Sequence, residues 1–351
     1  MIGMKYRNSK KFAYICTMLV LFIIAGLLCY KVKTHIQIDR ENSRLIVQKD
    51  RCGYTYAVYK DHVELLEYHG EENEVYIPLT LMGKPVTTIG PKCFNGADIT
   101  SVHLTSNITE IGEHAFNVCK LEYVTGDAEL YEIPKRAFGG CSNLKSVQIG
   151  NKIETIEYGA FQDCKALDYI GEQPNLKYIG ECAFDTAGLL RDFEVPGETE
   201  IGNLAFINSE WLKSKKDEFV IVGRGNLLAY HGTDEIVSIP QGVTVIGAEA
   251  FSYADSVENI REIYLPETVE EIESTAFTSI YNSHCTDFTV YIPESVVAID
   301  QYFDENESKK NGLAYSNKDI KIVTTKGSVA EQYAKKYKLK CEIVDQIEYP
   351  E

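Results

Sequence analysis

The sequence predicts a β-rich solenoid: a parallel strand ladder built from repeats of about 23 residues, preceded by one N-terminal transmembrane helix. Three observations predict it. The pair Ala/Cys-Phe recurs eight times at nearly constant spacing, the residues around it recur in step, and Phe12–Tyr30 is an uncharged, mostly apolar run of 19 residues.

The apolar run comes first. As a helix it spans about 28 Å, close to the roughly 30 Å of a bilayer's hydrocarbon core. Lys5, Arg7, Lys10 and Lys11 precede it with no acidic residue among them, which favours an N-terminus left inside. Lys31, Lys33 and Arg40 follow it and weaken that asymmetry, but the long acidic body behind the helix is what a leading signal would carry across. A cleaved signal peptide has a shorter apolar stretch and small residues before the cut; here Ile23-Ile24-Ala25 is a weak site. Leu28 before Cys29 does not suit a lipoprotein. The expectation is an uncleaved signal anchor at 12–30, a basic cytoplasmic segment at 1–11 and a stalk at 31–53.

The repeat comes next. The pairs are Cys93-Phe94, Ala115-Phe116, Ala137-Phe138, Ala160-Phe161, Ala183-Phe184, Ala205-Phe206, Ala250-Phe251 and Ala276-Phe277, with Tyr302-Phe303 a degenerate ninth copy. Successive phenylalanines stand 22, 22, 23, 23, 22, 45, 26 and 26 residues apart, the 45 being two periods with one copy overwritten. Ile-Gly precedes the phenylalanine at Ile89-Gly90, Ile111-Gly112, Ile179-Gly180, Ile201-Gly202 and Ile246-Gly247. One turn reads L-x-x-V-x-I-P-x-x-V-x-x-I-G-x-x-A-F-x-x-C. Period-2 apolar residues in L-x-x-V-x-I mark a short strand with one buried face. Proline ends its ladder pairing, glycine permits a bend, and x-x-A-F suits a single helical turn that drops Phe inward. One such unit cannot bury its own apolar stripe; stacked copies bury it against each other.

This pattern, from about Tyr54 to Val344, resembles the BspA-like, or Treponema pallidum-type, leucine-rich repeat family of bacterial surface proteins. The resemblance implies a curved solenoid at a bacterial cell surface that acts in adhesion and in protein or host-matrix binding.

Two segments share Leu-Leu-x-Tyr-His-Gly: Tyr54–Pro78 and Glu218–Pro240. Each reads as a β-hairpin opening a sub-array, which divides the body into 54–217 and 218–345, the second hairpin replacing one repeat. At the far end, Ser328-Val329-Ala330-Glu331 has the form of a capping box, opening a helix Val329–Tyr337 before a closing strand Leu339–Val344. Asp304–Lys318 reads as a loop.

Charge narrows the function. Residues 1–44 carry a net of +6, leaving about −23 for residues 45–351. A body this acidic repels nucleic acid. The ten cysteines form no CxxC pair. Cys119, Cys141 and Cys164 occupy one repeat position, about 4.8 Å apart when stacked, and read as small buried groups, as do Cys93 and Cys182. His69 and His231 share a hairpin position and read as structural; His103, His114 and His284 have no ligand partner at metal spacing. No catalytic or nucleotide-binding motif and no calcium loop is present, so neither cofactor nor metal is expected.

The one functional surface on offer is the outward positions of the strands: Tyr76, His103, Tyr123, Gln148, Tyr169, Asp192, Glu194, Glu262, Tyr264 and Tyr291. Tyrosine supplies rigid contact area with a polar tip; it is also simply a good strand residue. The expected partner is an extracellular protein, with a glycan or wall-associated role as the alternative, since tyrosine and acidic rows also suit sugars.

Overall fold

The computed structural model describes residues 35–39, 44–48, 52–188, 190–191, 193–282, 288–299 and 320–350. The anchor Phe12–Tyr30, the degenerate Tyr302-Phe303 copy and the loop Asp304–Lys318 lie outside them. Among the described residues no helix is long and apolar enough to cross a membrane.

Neighbouring coils bond to one another at three kinds of place. The first is the L-x-x-V-x-I strand: Glu74–Tyr76, Ser101–Leu104, Tyr123–Gly126 and Ser146–Ile149 run parallel with Val75, Val102, Val124 and Val147 in register. Tyr169 continues the row as a bridge to Ser146. The second is the isoleucine of Ile-Gly, where Lys84–Ile89 pairs with Glu110–Ile111, and Glu132–Ile133, Thr155–Ile156, Tyr178–Ile179 and Glu200–Ile201 pair in order. The third is the Ala-Phe corner. The N–H groups of Phe94, Phe116, Phe138 and Phe161 donate to the carbonyls of Ala115, Ala137, Ala160 and Ala183 at 2.8–2.9 Å.

That corner is not the single helical turn expected from x-x-A-F. The residue before the alanine and the second residue after the phenylalanine are both left-handed, as at His114 (φ 58°) and Val118 (φ 57°). In a right-handed turn every N–H would aim along the coil's own axis. The left-handed residues rotate alternate peptide planes outward, so His114, Phe116 and Val118 donate to Lys135, Ala137 and Gly139 of the next coil. The intervening Ala115 and Asn117 close tight turns onto Gly112 and His114.

The phenylalanines dropped inward by these corners stack. From Phe94 to Phe206 six rings follow one another with centroids 5.0–5.4 Å apart and planes within 15°. The stack ends on Trp211, 4.4 Å from Phe206. Trp211 sits on the short helix Glu210–Ser214, N-capped by Ser209, and donates its indole N–H to Phe193 O at 3.2 Å. The helix occupies the place where the overwritten repeat would have set its own ring.

The two hairpins form as expected, and for a legible reason. Tyr54–Val58 pairs antiparallel with Val63–Tyr68, and Phe219–Val222 with Asn226–Tyr230. In each the tyrosine of Tyr-His-Gly folds back over the glycine. A Cβ on Gly70 would stand 2.3 Å from Tyr68 Oη, and one on Gly232 2.2 Å from Tyr230 Oη, so a larger residue there would push the tyrosine ring aside. The first hairpin extends further than expected. The segment 31–53, read as a stalk, contributes His35–Asp39 and Arg44–Gln48, and the latter pairs with Tyr54–Val58. Its alternation puts Leu45 and Val47 on one face, and both are buried.

Beyond the second hairpin the plan repeats. Ile236–Ser238, Glu262–Tyr264, Thr289–Tyr291, Lys321–Thr325 and Lys340–Val344 form one parallel ladder, and Asn226–Tyr230, Val245–Ile246, Glu271–Ile272 and Ala298–Ile299 the other. The buried apolar residues gather in two clusters that meet at this hairpin. The closing helix is Val329–Tyr337: Ser328 Oγ accepts the Glu331 N–H at 3.0 Å, and left-handed Lys338 ends it.

Candidate recognition face

Two outward rows run along the strand ladder of the first array, because alternate residues of a strand face the same side. The residue before the central valine gives Glu74, Ser101, Tyr123, Ser146 and Tyr169; the residue after it gives Tyr76, His103, Thr125 and Gln148. The candidate residues therefore divide into two neighbouring rows. Tyr76, at 71% exposure, lies 5.7 Å from the His103 ring, whose Nδ1 is 3.1 Å from Thr125 Oγ1. Tyr123 and Tyr169, 44% and 37% exposed, flank Ser146. Gln148 is exposed and donates to Ser146 Oγ at 2.9 Å. Glu194 is exposed too; Asp192 lies outside the described residues.

In the second array the rows are more covered. Glu262 aligns with Thr289, and Tyr264 with Tyr291. The two tyrosine rings stack at 3.9 Å within 8°. Tyr264 faces outward yet is only 9% exposed, which corrects its expected accessibility. The tail beyond Val344 crosses this face: Tyr349 donates to Leu265 O at 3.0 Å, and its ring stands 6.2 Å from that of Tyr264. The Tyr264 hydroxyl donates to Glu262 Oε2 at 2.6 Å. Both partners are thereby engaged with each other.

Beside the first rows runs a feature that sequence reading passed over. Lys120 pairs with Asp98, Lys145 with Glu122 and Arg191 with Asp168, each about one repeat back, at 2.6–2.8 Å. Lys145 Nζ also stands 5.4 Å above the Tyr123 ring. Pairs this exposed add little stability, but they hold a basic group against the tyrosine row. The signal was present in the 22–23 residue spacing of opposite charges. Exposed Tyr131 was likewise missed, because it lies outside the L-x-x-V-x-I strand.

The other chemistry-bearing residues take structural places. The thiols of Cys119, Cys141 and Cys164 donate to the carbonyls of Phe94, Phe116 and Phe138 at 2.9–3.1 Å, tying each coil to the one before. All three are free and buried, and burial pushes the Cys164 thiol well up. Cys182 is only half-buried, so the small-buried-group reading fits it less well. The backbone N–H groups of His69 and His231 donate to Gly53 O and Glu218 O, closing the two hairpins alike. Among the described residues no group of three His, Cys, Asp or Glu is placed to hold a metal ion.

Stacked coils, two parallel ladders and a phenylalanine column define a leucine-rich-repeat solenoid. The model of the BspA type leucine rich repeat region matches in six copies over residues 87–213 and 229–326, and the chain belongs to that family. The unmatched stretch between them holds the second hairpin. The structure of the pneumococcal vaccine antigen PcpA is similar over 86% of this chain and 99% of its own, at 15% identity and a TM-score of 0.52. A leucine rich cell surface protein from Faecalibacterium prausnitzii A2-165 is similar over 80% and 95% (20% identity, TM-score 0.45), and the T. pallidum leucine rich repeat protein over 84% and 98% (17%, 0.29). At 15% identity the likeness to PcpA is one of fold. A comparison with curated protein sequences finds no match.

Proposed function

We propose that this chain is a surface-displayed, non-catalytic recognition protein, held to a bacterial membrane by residues 12–30, and that the outward rows of its first array bind an extracellular protein in adhesion. The observation that carries this reading is the pair of rows through Tyr76, His103, Tyr123, Gln148 and Tyr169. They place exposed aromatic rings on a rigid ladder beside salt-bridged lysines. Rigid tyrosines lose little entropy on binding and supply both apolar area and a hydroxyl. The family agrees with such a role.

The test is a pull-down with residues 45–351 as bait, followed by affinity measurement on the captured partner. Changing Tyr123 and Tyr169 together to Ser should weaken binding at least tenfold with the melting temperature nearly unchanged, because these side chains add little to the core. Unchanged affinity would remove the strand face as the site. In parallel, the full-length protein should fractionate with membranes; recovery of a soluble form beginning near Gly26 would show cleavage instead.

A further inference from the structure

Where the second hairpin enters, the isoleucine ladder is interrupted. Glu200–Ile201 closes the first set of strands, Asn226–Tyr230 opens the next, and among the described residues no strand pairing joins them. The interruption leaves a cleft of about 350 Å³ between the arrays. Its walls carry Glu181, Glu200 and Asn203 from one side and Glu270, Glu271 and Glu273 from the other. Among the described residues Arg224 is the one basic residue lining it, and its Nε donates to Glu198 O.

Two residues that line this cleft each carry a buried acceptor with no donor. Asn203 is only 7% exposed and its Oδ1 has no hydrogen-bond partner; Glu271 Oε1 is likewise buried and unpartnered. Buried acceptors left empty each cost about 1–3 kcal/mol. Such acceptors call for a partner from outside the chain, whether water, an ion or a ligand, or for a role that offsets their cost. Glu273, also buried, accepts a single bond, from the Ala248 N–H at 2.7 Å. The carboxylates raise one another's affinity for protons, Glu200 acting on Glu271, and Glu271 and Glu181 on Glu273. Burial is the larger cause in both. A ligand with spaced positive charges and several N–H donors would answer the charge and the unpartnered acceptors together.

We propose that this cleft is a binding site for an alkylammonium ligand, with Glu271, Glu273 and Asn203 receiving its N–H donors. The carboxylates are spread along both walls instead of converging at metal distance, which fits spaced ammonium charges better than one compact ion. The volume lies at the small end of small-molecule sites. Such a ligand comes from one of two sources, a free aliphatic diamine or polyamine, or the lysine side chains of a basic peptide. The site is separate from the tyrosine rows and does not depend on their role.

The experiment is calorimetric titration of the full-length protein at pH 8 and low salt with cadaverine, spermidine, a trilysine peptide and calcium chloride in separate arms. Saturable one-to-one binding is expected for an amine. Tight cadaverine or spermidine binding identifies a free amine, and trilysine binding alone identifies a peptide lysine. The Glu271→Gln/Glu273→Gln variant should lose at least tenfold in affinity while melting no lower than the parent, since it removes repulsion. Glu132→Gln, on the isoleucine ladder of the first array and not among the residues lining the cleft, should bind normally. The proposal is overturned if no amine binds saturably, if the double variant binds as well as the parent, or if calcium binds more tightly than every amine.

Discussion

Glu273 shows what a single residue contributes at the junction. Burial, with Glu271 and Glu181 nearby, raises its pKa from 4.5 to about 7. A carboxyl whose folded pKa lies above its unfolded one takes up protons on folding, so it costs nothing below pH 4.5. Its burden then grows as pH rises and is complete above about 7. Glu273→Gln should therefore leave stability unchanged near pH 4 and raise it by about 1–3 kcal/mol at pH 8. Urea melts at the two pH values check this; an equal effect at both would mean that the residue acts by shape alone. Val118 makes a second case. It is exposed and β-branched at φ 57°, where the equivalent residues Gly96 and Gly140 are glycines at φ 70° and 75°. A left-handed non-glycine costs about 1–2 kcal/mol, more than the roughly 0.5–1 kcal/mol of entropy that glycine forfeits. Val118→Gly should be neutral or stabilise by up to about 1 kcal/mol in thermal unfolding, and a clear loss would mean that the Val118 contact with the next coil matters more than its backbone.

At the scale of the element, the phenylalanine column ties the coils together. Phe138 is wholly buried between Phe116 and Phe161, 5.4 Å from each. Its truncation removes one ring's burial and two stacking partners. Phe138→Ala should cost about 3–5 kcal/mol; a loss under about 1 kcal/mol in denaturant unfolding would contradict the column. The corner that delivers this ring was only partly legible. Ala-Phe at fixed spacing announces an inward aromatic, but the alternation of left-handed residues has no residue signature, since Lys92, His114, Arg136, Cys182 and Leu204 all adopt it. Inter-coil hydrogen bonding dictates that conformation and side-chain preference does not. The strands Arg44–Gln48 and His35–Asp39 were hidden for a related reason: a strand of five residues acquires its meaning from the neighbour it pairs with.

Across the whole molecule, stability in a solenoid is close to a sum of coils and their interfaces. Here one interface differs from the others. The apolar core divides at the second hairpin, and the acidic cleft opens beside it. The weakest link should therefore lie between the arrays. Hydrogen exchange of Phe277→Ala, which lies in the second cluster, should show the strands Ile236–Ser238, Glu262–Tyr264, Thr289–Tyr291 and Lys321–Thr325 opening together while those from Ser101–Leu104 to Glu200–Ile201 stay protected. Uniform exchange across both arrays would show that the junction transmits cooperativity fully.

The sequence alone determined the repeat, its period, the hairpins and the closing helix, because each rests on local periodicity or on a local turn or cap signal, such as the capping box Ser328–Glu331. It also determined which strand positions face outward, since alternation is a property of the strand itself. Tertiary structure decided what those positions are worth. Tyr76 and Tyr264 carry the same sequence signal. One stands open and the other lies under Tyr349, which comes from 85 residues further along the chain. The cleft belongs wholly to tertiary structure. Glu181, Glu200, Glu271 and Glu273 are scattered through an acidic chain, and only the interruption of a ladder by an inserted hairpin brings them to one opening. Accessibility and charge convergence depend on what packs from a distance, and no local pattern records that.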